Sequence, residues 1–255
     1  MNPVQLIHRP PFIIHHYPTL GSTNDHLKRM TDAPEFTCVT ADEQRAGRGR
    51  RDRTWHSAPG DGLYLSVLLR PLLAPEQLPL LSLMCAVAVS ETIARYNVAG
   101  TDIKWPNDVL VNERKLSGIL IEGIAGADTP RIIAGIGVNL NHRDFPPELE
   151  QTATSLAREC GHQIDAAEFR DQLLISLARW YETLRHGDGH SILNRWQQLS
   201  SYAHGKQIVV TLDDEQLSGV TAGLTESGAL LVRTASGAMR TIIAGEVSRL
   251  RSGDQ

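Results

Sequence analysis

The sequence predicts an α+β fold, a large domain of mixed sheet and helices followed by a small β-barrel. Three observations carry this. The chain has 255 residues, enough for a large domain with a small companion and for a full core without disulfide or metal staples. Strand-like and helix-like runs alternate as far as about residue 202. Beyond it only short alternating runs remain, separated at Asp213-Asp214, Ser227-Gly228 and Ser236-Gly237, the rhythm of a small barrel. The expected domains are therefore 1–203 and 204–255.

Taken in order, residues 12–17 are apolar and β-prone, and Pro18 to Gly21 breaks the run. Ser22-Thr23-Asn24 opens a helix reaching about Thr31, with a hydroxyl or amide to cap its free N–H groups. Residues 37–41 read as a short strand. Residues 44–53 are too charged and Gly-rich for either element and read as a loop, and 62–70 as a buried strand. The strongest helix signal covers 75–97, entered at Pro75-Glu76 and ended by Gly100. Strands follow at 102–105, 109–112, 116–124 and 131–139, with a hairpin turn at Asn112-Glu113-Arg114. Residues 166–186 and 191–201 are amphipathic helices, the first with a core stripe of Phe169, Leu173, Leu177, Trp180 and Leu184. Runs at 207–212, 217–224, 229–233 and 239–244 supply the barrel.

Net charge is −4, which disfavours a protein whose whole surface binds nucleic acid. Yet only Lys28, Lys104, Lys115 and Lys206 are lysines among 25 basic residues, and five arginines crowd into 45–53. Cys38, Cys85 and Cys160 are odd in number and far apart, so neither a disulfide framework nor a cysteine zinc site is indicated. The N-terminus lacks a secretory pattern, and the most apolar run, 78–89, falls short of the ~20 residues of a membrane span. A cytoplasmic location, with no membrane partner, is the expectation.

The loop Gln44-Arg45-Ala46-Gly47-Arg48-Gly49-Arg50-Arg51-Asp52-Arg53-Thr54-Trp55 combines glycines that let backbone approach a ligand with guanidinium forks that match phosphate or carboxylate. By itself it reads equally as a solvated basic loop. Asp52 stands where a dinucleotide fingerprint requires glycine, and Gly205-Lys206-Gln207 is no P-loop. In Lys104-Trp105-Pro106-Asn107-Asp108, Lys104 would offset phosphate charge and Asp108 would hold Mg²⁺, although a tight turn explains Asn and Asp as well. Lys115 leads the apolar run Leu116-Ser117-Gly118-Ile119-Leu120-Ile121-Glu122, and Gly118 opens space on it. Gly135 and Gly137 share one strand face and leave a slot there.

In this order and spacing, Ser22-Thr23-Asn24, Gln44 with Gly47-Arg48-Gly49-Arg50-Arg51, Trp55, Lys104-Trp105-Pro106-Asn107-Asp108, Lys115-Leu116-Ser117-Gly118 and Gly135-x-Gly137-x-Asn139 closely resemble the biotin protein ligase family, over about residues 17–141. The resemblance implies a class II aminoacyl-tRNA-synthetase-like catalytic domain and an SH3-like C-terminal barrel. It implies condensation of biotin with ATP to biotinyl-5′-AMP and pyrophosphate, with Mg²⁺. The biotinyl group then passes to a lysine of a biotin carboxyl carrier protein of acetyl-CoA carboxylase or a related carboxylase.

Carried over residue by residue, Ser22, Thr23, Asn24, Gln44, Gly47, Arg48, Gly49, Arg50, Lys115, Gly118, Gly135 and Gly137 would bind biotin. Arg50, Arg51, Trp55, Lys104, Asn107 and Asn139 would bind ATP or the adenylate. Lys115, Arg48 and Arg50 would be catalytic, and Asp108 would hold the metal. Asp52 departs from the family's pattern, and the C-terminal nucleotide-contacting arginine falls on neither Arg249 nor Arg251 in register. With no helix-turn-helix ahead of residue 20, the resemblance is to the monofunctional type, with no DNA partner. A homodimer through sheet edges around 116–139 is a further expectation. The competing readings are a lipoate or octanoate ligase, whose Arg-Arg-x-x-Gly-Gly-Gly run is missing, and a nucleic-acid module built on the Arg-rich loop.

Overall fold

The computed structural model describes residues 3–51, 53–124, 130–212 and 215–249, with Arg249 described by its backbone alone. Asp52, Arg251 and the Arg249 side chain lie outside the described residues. The larger sheet is built from β1 (Gln5–Arg9), β2 (Phe12–Leu20), β3 (Thr37–Gln44), β4 (Gly62–Leu69), β5 (Thr101–Lys104), β6 (Asp108–Val111), β7 (Arg114–Ile124) and β8 (Arg131–Asn139). Its order is β1-β2-β3-β4-β8-β7-β6-β5. β2 and β3 run parallel and the other neighbours antiparallel, so the sheet is mixed, as expected.

Five helices accompany it: α1 (Thr23–Arg29), α2 (Pro79–Ala94), α3 (Leu156–Cys160), α4 (Ala166–Arg185) and α5 (Gly189–Leu199). The second sheet holds β9 (His204–Thr211), β10 (Gln216–Leu224), β11 (Leu230–Arg233), β12 (Met239–Ile242) and β13 (Glu246–Arg249), in the order β12-β11-β10-β9-β13. It is the small antiparallel, SH3-like module predicted, with one more strand, β13, than the sequence indicated.

Side chains alternate across a strand, and that alternation sorts the two faces of the large sheet. One set, including Leu63, Leu65, Val67, Ile136 and Val138, joins the core formed with α2, α4 and α5. On the opposite face Leu68 and Ile133 pack against Leu27 of α1. Farther along that face Ser66 pairs with Gly135 and Tyr64 with Gly137, and there the sheet is left open.

Several expectations are corrected. β2 does not stop at Pro18 but continues to Leu20. β1 pairs with it only as far as His16, so the N–H that proline lacks is missing from no ladder. The helix foreseen over 75–97 divides into a 3-10 turn, Pro75–Gln77, and α2, which begins at Pro79 and ends at Ala94. A proline at the first helical position gives up no intrahelical bond. The span 75–94 is in fact 20 residues long and apolar enough by length and composition to cross a membrane, but 67% of its most apolar stretch is buried inside the protein. Every α2 residue from Leu80 to Ile93 except Ser82 and Glu91 is buried, because sheet and helices flank it on opposite sides. That explains an apolar run without a polar face.

The Asn112-Glu113 turn is as predicted, with φ of 49° and 63° at the two residues, the left-handed pair of a tight hairpin. The edge expected around 116–139 holds only in part. β8 is interior, between β4 and β7, whereas β6 flanks β7 only as far as Gly118.

Candidate active site

The open face of the sheet is a cleft of about 910 Å³, within the range of small-molecule sites. Of the residues singled out in the sequence, Ser22, Thr23, Asn24, Gln44, Arg48, Gly49, Arg50, Arg51, Trp55, Lys104, Asn107, Asp108, Lys115, Gly118, Gly135, Gly137 and Asn139 all line it. Gly47 does not. A Cβ there would meet Trp55 O at 2.7 Å and Ser57 Oγ at 2.8 Å, so this glycine lets the loop fold tightly behind the cleft wall.

β8 lays the cleft out as a line. Gly135 lies beneath Asn24, Gly137 beneath the Trp55 indole, and Asn139 donates to Thr154 O at 3.1 Å. The five residues from Gly135 to Asn139 span about 13 Å of strand. The glycine slots are thus occupied by side chains. A Cβ on Gly135 would come within 2.4 Å of Asn24 Oδ1, one on Gly137 within 2.5 Å of Trp55 Cε2, and one on Gly118 within 2.9 Å of Trp55 Cζ3.

At the first end Ser22 caps α1, accepting from Asp25 N at 3.4 Å. The cap turns Thr23 and Asn24 inward. Gln44 Oε1 accepts from both Thr23 N (2.9 Å) and Thr23 Oγ1 (3.0 Å), and Gln44 Nε2 donates to Ser57 Oγ at 3.1 Å. Ser66 Oγ reaches Thr23 Oγ1 at 2.8 Å and Asn24 Oδ1 at 2.5 Å. Asn24 Nδ2 donates to Glu122 Oε2 at 2.6 Å. The result is an interlocked array of donors and acceptors, with Ser22, Thr23, Asn24 and Ser66 buried.

Glu122, on β7, received no role from the sequence, yet it joins Asn24, Lys28 (2.6 Å) and Arg48 (3.2 Å). Burial opposes its ionisation, but hydrogen bonds from Lys28 and Asn24 and the Arg48 charge outweigh that and hold its carboxyl below the ordinary value. A lone acid ending the apolar run Ile119-Leu120-Ile121 was the available signal.

The Arg-rich segment is a loop, as predicted, closed on itself by a bridge between Arg48 and Thr54. Arg48 also contacts Asp25 at 2.6 Å. Arg50 donates to Asn107 Oδ1 at 3.3 Å and to Gly245 O at 3.4 Å. Burial draws its guanidinium below the ordinary value, against the opposing pull of Asp108. Arg53 pairs with Glu246. Gly245, Glu246, Val247 and Ser248 line the cleft, so the small module supplies one wall, which the sequence did not foresee.

In the middle, Lys115 Nζ lies 2.6 Å from Asp108 Oδ1 and 5.4 Å from the centre of a Trp55 ring. The Lys115–Asp108 contact is close enough for an ion pair but off the angle of a hydrogen bond. Lys104 is 3.5 Å from Asp108 Oδ2. Trp55 Nε1 is buried without a hydrogen-bond partner among the described residues. Asn107 and Asn139 reach the cleft, but their amide donors are engaged by Ile119 O, Thr154 O and Lys115 O; both brace the strands that carry Lys115 and Gly118. No cluster of three or more His, Cys, Asp or Glu suited to a metal occurs among the described residues. Asp108 therefore fits a Mg²⁺ that arrives on phosphate oxygens, the ion's usual manner of binding, rather than a protein cage.

The far end is walled by Phe145, Leu149, Thr152 and Ala153. No motif marks them. They are placed by pairing of Lys115 with the incoming chain, Lys115 N to Thr152 O at 2.7 Å and Thr154 N to Lys115 O at 2.9 Å.

A mixed sheet whose open face gathers cations beside a hydrogen-bonding pocket is suited to an enzyme that handles an anionic substrate. Residues 18–139 match the biotin/lipoate A/B protein ligase family, and residues 203–250 match the biotin protein ligase C-terminal domain. The chain is 39% identical to the bifunctional ligase/repressor BirA of Bacillus subtilis, covering 87% of this chain and 70% of that protein. It is 35% identical to the biotin–[acetyl-CoA-carboxylase] ligase of Paracoccus denitrificans, covering 89% and 96%. The biotin protein ligase of Aquifex aeolicus in complex with biotin and ATP superposes with a TM-score of 0.82 at 30% identity, covering 94% of this chain and 99% of that one. The chain belongs to the biotin protein ligase family.

Proposed function

We propose that this chain is an ATP-dependent biotin–[biotin carboxyl carrier protein] ligase. One observation carries the reading. A single cleft is lined both by the hydrogen-bonded array of Ser22, Thr23, Asn24 and Gln44 and by the cations Arg50, Lys104 and Lys115. The first end suits the ureido head of biotin, which offers donors and acceptors in fixed positions, and the apolar far end suits a purine. The biotin carboxylate then lies near Lys115 and the Arg48–Arg50 loop.

A carboxylate oxygen attacks the α-phosphorus of ATP, the α–β anhydride bond breaks, and pyrophosphate leaves. Two anions must meet, so Arg48, Arg50 and Lys115 offset their repulsion and the charge that grows at the α-phosphate. Mg²⁺ held by Asp108 and the phosphates would offset charge on the leaving group. Trp55, Lys104, Asn107, Asn139 and Arg51 serve the nucleotide half. The acceptor lysine, as free amine, next attacks the acyl carbon, AMP leaves, and the amine loses its proton.

We take the partner to be the biotin carboxyl carrier protein of acetyl-CoA carboxylase or a related carboxylase, with no DNA, and the location to be the cytoplasm. Cys38 and Cys85, buried and unbridged, suit a reducing compartment. The domains divide at 203/204, where β9 begins. The β7 edge beyond Gly118 is the place for a homodimer contact, since β6 leaves it uncovered. The lipoate reading is disfavoured by the C-terminal match, which is specific to biotin ligases. Exchange of labelled pyrophosphate into ATP, dependent on biotin and absent with octanoate or lipoate, is the expected result; no exchange with biotin would overturn the assignment.

A further inference from the structure

The far wall of the cleft is a part of the site that no sequence motif covers, and a side chain from α3 braces it. Arg158 Nε donates to Arg143 O at 2.9 Å, and Nη2 reaches the same carbonyl. Nη1 and Nη2 contact Glu150 Oε1 at 2.9 Å and Oε2 at 3.2 Å. The guanidinium carbon lies 5.0 Å from the centre of the Phe145 ring. Glu150 Oε2 in turn accepts from Phe145 N at 3.1 Å. The Phe145 ring also stacks on His142, centres 5.0 Å apart and planes 8° apart. Arg158 thus grips both ends of the 143–150 segment and the aromatic ring between them. A bidentate fork that also stacks on a ring is the geometry in which arginine is not replaceable by lysine.

We infer that Arg158 is a positioning residue for the nucleotide end of the cleft, holding segment 143–150 so that Phe145 and Leu149 present an apolar wall to the purine. The inference rests on the reading of the cleft as a biotin- and ATP-binding site. Arg158 is not among the residues lining the cleft, so its effect passes through the segment. That segment contains neither helix nor strand, and ordering such backbone costs conformational entropy. If the nucleotide had to supply that ordering, its apparent affinity would be the intrinsic affinity multiplied by the fraction of molecules already ordered. Arg158 raises that fraction before the nucleotide arrives.

The test compares the full chain with Arg158→Ala and Arg158→Lys. In hydrogen exchange without ligand, both variants exchange faster at amides 148–150 while β8 is unchanged. In pyrophosphate exchange, Arg158→Ala raises the KM for ATP about tenfold, as expected when a charge-assisted bond that orders a segment is lost. The KM for biotin, and kcat at saturating ATP, stay within about twofold. Unchanged exchange at 148–150, an unchanged KM for ATP, or parallel loss in both KM values and kcat would overturn the role given to Arg158. A wild-type chain with no biotin-dependent exchange would instead overturn the functional reading, and the purine part of this inference with it.

Discussion

Replacing Gly135 by alanine probes how the cleft is divided. The backbone there is ordinary strand, so alanine itself is tolerated, but its Cβ would lie 2.4 Å from Asn24 Oδ1 and 2.8 Å from Nδ2. Asn24 must move, and it is held on two sides: Ser66 Oγ donates to its Oδ1 at 2.5 Å, and its Nδ2 donates to the Glu122 carboxylate at 2.6 Å. Moving it breaks one neutral hydrogen bond, about 1 kcal/mol, and one to a charged group, about 1.5–3 kcal/mol. Together these amount to about 2.5–4 kcal/mol of local stability, and biotin, which needs Asn24 in that position, is expected to bind at least about tenfold more weakly. Titration calorimetry with biotin alone reads the effect without turnover. Gly137→Ala, two residues along the same face, meets Trp55 at 2.5 Å instead; it is expected to spare biotin binding and raise the KM for ATP. A Gly135→Ala variant that binds biotin within about threefold of wild type would refute the reasoning, as would equal damage to both substrates by both variants.

Three further outcomes are expected. Lys115→Ala removes the ammonium beside Asp108 and lowers biotin-dependent pyrophosphate exchange by ~10² or more; near-normal exchange would exclude Lys115 from the chemistry. Arg50→Gly unties the loop from Asn107 and Gly245 and speeds loss of labelled adenylate after rapid dilution, whereas unchanged retention would show that the loop does not close the site through this residue. Burial pushes the His142 imidazole down to about 4 from an ordinary value of 6.5. Between those two pH values the unfolded chain binds more protons than the folded one, so stability falls as pH drops from 6.5 towards 4. His142→Phe should therefore lose less melting temperature than wild type between pH 7 and pH 5; parallel losses would contradict this.

Much of this site was legible in the sequence because its chemistry sits in short contiguous motifs. Ser22-Thr23-Asn24 caps a helix, so local backbone rules alone point those side chains inward. The Arg-rich loop is too charged to be anything but a loop. The glycines of β7 and β8 declare space above the sheet, but only the fold identified what fills it, Asn24 in one place and the Trp55 ring in two others. Glu122 was visible as an acid in an apolar run, though without partners it carried no meaning, since Lys28 and Arg48 are distant in sequence and meet it only across the sheet. Phe145, Leu149 and Arg158 carry no local pattern, because their placement comes from pairing with Lys115 and from a guanidinium that reaches back over the chain.

The amino-acid sequence by itself determined the mixed α+β domain with its small barrel, the loop character of the Arg-rich segment, and the family resemblance, since each depends on periodicity, capping, turn chemistry or motifs read within a few residues. Tertiary structure decided how those pieces divide one cleft. It set which glycine faces which side chain and placed the C-terminal module against the Arg loop. It also buried a helix apolar enough for a membrane, and assembled a far wall from unmarked residues. These are contacts between segments distant in the chain, and side chains with no sequence neighbours in common acquire their roles only when strand register brings them together.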